Sequence, residues 1–137
     1  MVGLKTGPMF YKIGTGSILH SFFSTIAYNL EDNNWGKKYP FIMKELYNGE
    51  LSSDKILNAE KELAEIKEAL KEYAPNCIIW DIDNLELQPP WGEKIADRIT
   101  SLSNYFYTSD GEDIFNLFIR AFNDAKQIKK SICITSI

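Results

Sequence analysis

A chain of 137 residues, 45% hydrophobic and 25% charged, has the make-up of one soluble domain (1–137) with a single sizeable core. No apolar run approaches the ~18 residues needed to span a bilayer. Residues 1–5 lack the apolar stretch of a secretory signal, so the expected compartment is the cytoplasm. The net charge is -4, from 15 basic and 19 acidic residues, and its distribution matters more than its size.

In chain order, residues 9–13 read as a strand pairing with residues 2–5 across the Thr6-Gly7-Pro8 turn. Gly14-Thr15-Gly16 breaks the pattern, and Ser17 is a natural N-cap. Ile18, Leu19, Phe22, Phe23, Ile26, Ala27 and Leu30 then recur at helical spacing. A turn-rich stop at residues 31–36 precedes a shorter helix from Pro40 to about residue 48. Ser52 or Ser53 opens a third helix, with Ile56, Ala59, Leu63, Ile66, Leu70 and Tyr73 as its stripe and Pro75 closing it.

The apolar run 77–82 predicts a mostly buried strand. Its Cys77, like Cys133 near the other end, is expected to be a small buried hydrophobe. Pro89-Pro90-Trp91-Gly92 is a rigid connector, and residues 105–107 suit a short strand. Ser109 with Glu112 fits a capping box ahead of an amphipathic helix carrying Ile114, Phe115, Leu117, Phe118, Ala121, Phe122 and Ala125. Residues 131–137 form a final strand, which at a sheet edge would pair with a second copy as a homodimer. Strands at both ends and in the middle, with helices grouped between, predict a single α+β domain. A small, mostly antiparallel sheet would pack against several amphipathic helices.

Residues 78–113 hold eight acids (Asp81, Asp83, Glu86, Glu93, Asp97, Asp110, Glu112 and Asp113) against Lys94 and Arg98, a balance of -6. The remainder of the chain is near +2. Such a pole speeds encounter with a basic partner and repels nucleic acid and anionic membrane. Trp80, Trp91 and the stiff Pro89-Pro90 pair lie in the same region, placing aromatic anchors beside the charge.

Catalytic and metal motifs are weak. Asp81-Ile82-Asp83 looks like the aspartate pair of haloacid-dehalogenase phosphatases, which would make a metal-dependent phosphohydrolase the alternative activity. Leu85 stands where that pattern has threonine or valine, and too little chain follows for its remaining motifs. Gly14-Thr15-Gly16-Ser17 lacks the lysine of a phosphate-binding loop. His20, the only histidine, has serines nearby but no oriented acid identifiable along the chain, and reads as a partly buried, hydrogen-bonded helix residue. Asp110-Gly111-Glu112-Asp113 lacks calcium-loop spacing and suits the first turn of a helix.

Three stretches together resemble the immunity protein 70 family of bacterial polymorphic toxin systems. They are residues 13–23 (Ile13-Gly14-Thr15-Gly16-Ser17 through Phe23), Trp80-Asp81-Ile82 with Pro89-Pro90-Trp91-Gly92, and residues 108–115 (Thr108 through Phe115). The resemblance implies a small cytoplasmic α+β protein, non-catalytic and without cofactor or metal, that binds and blocks a cognate toxin domain. An acidic face would then stand in for the phosphates of a basic toxin site. The candidate toxin contacts are Asp81, Asp83, Asp110, Glu112 and Asp113, with Trp91 as the aromatic anchor.

Overall fold

The computed structural model describes residues 1–136. Four antiparallel strands, β1 (Val2–Thr6), β2 (Met9–Gly14), β3 (Glu50–Leu51) and β4 (Ile132–Ser136), form one sheet in the order β2-β1-β4-β3. Three helices, α1 (Gly16–Leu30), α2 (Ile56–Leu70) and α3 (Ile114–Ile128), complete an α+β fold. The β1–β2 hairpin turns tightly at Gly7, whose φ of 55° suits a residue without a Cβ. Gly3, at an irregularity in the register, lies so close to β2 that a Cβ there would fall 2.2 Å from the Tyr11 carbonyl oxygen.

Each long helix follows from its apolar period. Leu19, Phe22, Phe23, Ile26 and Ala27 bury one face of α1. The stripe Ile56, Ala59, Leu63, Ile66 and Leu70 buries along α2, and α3 packs over β1, β2 and β4. Phe22 sits at the centre, its ring centroid 5.3–5.7 Å from those of Phe23, Phe106, Phe115 and Phe118, all edge to face. Complete burial of each such ring contributes roughly 1.5–3 kcal/mol. Glu31, only 3% exposed, stays inside because its carboxylate accepts from the amides of Gly36, Lys38 and Tyr39. Those three bonds shape the loop that sets Trp35 against α1. Among the described residues no helix is long and apolar enough to cross a membrane.

Several boundaries differ from expectation for identifiable reasons. Thr15, not Ser17, caps α1, accepting from the Ile18 amide. The short second helix is a π-helical turn (Phe41–Leu46) whose leading amides donate to Glu62 on α2. The third predicted helix stops at Leu70, and Tyr73 lies in the turn beyond it, donating its hydroxyl to the Asn29 carbonyl. Asp113, not Ser109, caps α3, because the chain turns at residues 109–111 and brings Asp113 back to pair with Tyr107 as an isolated bridge, so the helix begins only after it. That bridge is all that forms of the strand expected at 105–107. Cys77 and Cys133 are free but half-buried rather than buried. The last strand lies inside the sheet, between β1 and β3, with an open edge only beyond Cys133; Ile137 falls outside the described residues.

The largest departure is at residues 77–82, which form no strand. The segment runs half-buried along α1, and helix side chains take the place of a neighbouring strand. Thr25 Oγ1 accepts from the Ile79 amide at 3.1 Å, and Ser21 Oγ donates to the Ile79 carbonyl at 2.8 Å. Ser24 Oγ accepts from the Ile82 amide at 3.2 Å, and Asn29 Nδ2 donates to the Cys77 carbonyl at 3.0 Å. Buried backbone groups must be paired, and a polar stripe on α1 pairs them here.

Candidate functional site

From this tethered segment the chain leaves the body as a loop over residues 83–98 without helix or strand. A loop of this length is ordered only if its own turns and a few anchors hold it. Successive turns are closed by Leu87 N to Asn84 O, Gly92 N to Pro89 O and Ile99 N to Ala96 O. Gly92 takes a φ of 60° at the end of the diproline turn, which favours glycine. Pro89 is buried. Trp91 donates its indole N–H to the Tyr105 hydroxyl at 2.8 Å and meets Trp80 edge to face at 5.5 Å. Burial pushes the Tyr105 phenol above its usual range, with the indole bond opposing.

The loop surface combines charge with apolar area. Leu85, Leu87 and Trp91 are 51%, 46% and 37% exposed. Asp83, Glu86, Glu93 and Asp97 are exposed beside them, and none has a lysine or arginine partner among the described residues. A cavity of about 300 Å³ opens next to Trp91, lined also by Gly14, Thr15, Ile18, Phe106 and Ser109. Trp91 therefore joins the loop to the strand–helix junction at residues 14–18.

At the root of the loop the structure supplies an acid for His20. His20 Nε2 lies 3.3 Å from Asp81 Oδ1, and Nδ1 lies 2.9 Å from the Tyr47 hydroxyl. In the neutral ring, Nε2–H donates to the carboxylate and Nδ1 accepts from the phenol. Asp81 Oδ1 also accepts the Asp83 amide at 2.9 Å, and Trp35 stacks on the imidazole at 6.1 Å. Burial, then the charges of Asp83 and Asp81, hold the Tyr47 phenol above its ordinary value. His20 is half-buried and hydrogen-bonded, as its sequence context suggested. Its acid was not visible along the chain because it comes from 61 residues away. Asp81 sits at no strand end, so the phosphatase-like presentation of a nucleophile is not formed.

The other three acidic candidates lie at the start of α3. Asp110 is 3.3 Å from Lys12 of β2. Glu112 makes a two-pronged pair with Arg120, at 2.7 Å to Nη2 and 3.3 Å to Nε, and Arg120 lies over the Tyr11 ring. Asp113 Oδ1 accepts from the Phe115 amide at 2.8 Å. Asp81 and Asp83 are thus brought together with His20, whereas Asp110, Glu112 and Asp113 are engaged by their own neighbours.

Fold and site define a small α+β protein that displays an acidic, leucine-studded loop hung from its central helix. The chain belongs to the Immunity protein 70 family: the family's model matches residues 4–134, from within β1 to within β4. No curated protein and no solved structure matches the chain.

Proposed function

We propose that this protein is an immunity protein that binds a cognate bacterial toxin domain in the cytoplasm and neutralises it by docking, without catalysis of its own. Family membership supports the class. The observation that carries the mode of action is the loop at residues 83–98, where unpaired carboxylates surround exposed Leu85, Leu87 and Trp91. The apolar side chains would supply the buried centre of the interface, and the acids its selective rim against a basic surface. Trp91, already fixed by Tyr105 and Trp80, would bind with little further ordering. Asp81 and Asp83 stand at the loop's root, and Asp110, Glu112 and Asp113 flank the face as weaker contacts.

The test is titration of the purified chain with the toxin domain encoded beside it. Tight one-to-one binding is expected, weakened by salt mainly through the on-rate. The double change Leu85→Ser with Leu87→Ser should lower affinity roughly 30-fold while the melting temperature holds. Wild-type binding that the double variant leaves intact would remove the loop from the interface.

Two other readings have less support. A phosphohydrolase would need Asp81 free to attack, whereas it accepts hydrogen bonds from His20 and the Asp83 amide; turnover of a phosphate ester with Mg²⁺ would favour that reading. A homodimer through β4 has only the short edge beyond Cys133 to use.

A further inference from the structure

The side chains of His20, Asp81 and Asp83 each offer one ligand atom, and these atoms all lie within 4.8 Å of one another. We infer that this cluster binds a divalent first-row cation, which clamps the root of the 83–98 loop to α1. The imidazole comes from one element and the carboxylates from another, so the set is not a run of acids along one surface. No lysine or arginine pairs with either carboxylate among the described residues; Asp81 is met by the imidazole and the Asp83 amide instead.

Geometry and donor chemistry agree. Zinc bonds of about 2.0–2.2 Å give tetrahedral ligand-to-ligand edges of about 3.3–3.6 Å. The His20 Nε2 to Asp81 Oδ1 distance is 3.3 Å, already such an edge. The Asp83 carboxylate is exposed, with an oxygen within 4.8 Å of the other two ligand atoms. One nitrogen and two carboxylate oxygens form a mixed set suited to zinc, nickel or manganese rather than to calcium, which prefers more oxygens. Metal binding moves the imidazole proton to Nδ1, which then donates to the Tyr47 oxygen, the outer hydrogen bond that metal-bound histidines usually make. The ligand segments are held beforehand, because Ser21 and Thr25 on α1 bond the Ile79 backbone and Ser24 bonds the Ile82 amide.

The test of this site uses no toxin, so its outcome is separate from that of the proposed docking. His20 is the only histidine, so its imidazole resonances report on this site alone. Zinc added to the full chain after chelator treatment should shift those resonances saturably at one ion per chain and raise the melting temperature. Asp83→Asn should weaken binding at least about tenfold, and Tyr47→Phe by about tenfold, both folded by circular dichroism. Asp110→Asn should bind as wild type. The proposal is overturned by no saturable change up to millimolar zinc, by binding that leaves the His20 resonances unmoved (uptake by Cys77 or Cys133), or by Asp83→Asn binding as wild type.

Discussion

Two acidic regions of this molecule look alike in sequence and differ in what their charges face. At the start of α3, Asp110, Glu112 and Asp113 meet Lys12, Arg120 and a helix amide, all within the same body. On the 83–98 loop, Glu86, Glu93 and Asp97 meet solvent, with leucines exposed between them. The first set stabilises the fold that carries it. The second leaves its field open to an incoming surface, which is what electrostatic steering requires. A formal balance of -6 over 78–113 overstates what a partner would meet and misplaces its centre, which lies on the loop.

The sharpest way to break this contrast is to reverse charge in each region separately. Glu86→Lys with Asp97→Lys should weaken toxin binding about 100-fold, or about 2.7 kcal/mol, with little change in melting temperature. Asp110→Lys with Glu112→Lys should change affinity less than about threefold and lower thermal stability slightly, since each lost surface ion pair contributes about 0–1 kcal/mol. Equal loss of affinity from both pairs, measured by calorimetry, would erase the distinction.

A smaller effect isolates the structural role of the α3 end. Asp113→Ala removes the N-cap of α3 and should cost about 1 kcal/mol in denaturant unfolding, with toxin affinity falling less than about threefold.

The smallest expected signal is in the phenols beside the two regions. Burial, then the hydrogen bond to Asp124, pushes Tyr11 up to about 12, while Tyr47 is raised by burial and by Asp83 and Asp81. A folded value above the unfolded one means that the native state keeps the proton longer. The stability this contributes is complete below pH 10 and is lost as pH rises from there toward 12. Absorbance titration of tyrosinate in chelator-treated buffer should show Asp83→Asn lowering the Tyr47 midpoint and leaving Tyr11 unmoved.

What the sequence disclosed was whatever depends on side-chain period. The stripes of α1, α2 and α3 repeat every three to four residues and bury, apart from Ile18 and Leu30, half-buried at the ends of α1's, and Tyr73, which falls beyond α2; the terminal hairpin follows its turn residues. Residues 77–82 defeated that reading because an apolar run says that a segment is covered, not what pairs with its amides. The pairing groups, Ser21, Ser24 and Thr25, precede their partners by 54 to 58 residues. The acid beside His20 was hidden for the same reason. The engagement of Asp110 and Glu112 depends on Lys12 and Arg120, and only the fold brings Lys12 near. Family resemblance, by contrast, was carried by short stretches that the structure gathers around one place: Gly14, Thr15 and Ile18, Trp91, and Thr108 with Ser109 line a single cavity.

The hydroxyl and amide stripe on α1 has one more consequence. Every bond it makes to residues 77–82 ends on a main-chain atom, never on a side chain. Those bonds are blind to which amino acids occupy positions 77, 79 and 82 and the tip they lead to, while His20 on the same helix reads the Asp81 side chain. A lineage confronting altered toxins could exchange the whole tip as a cassette while the helix that grips it stays fixed.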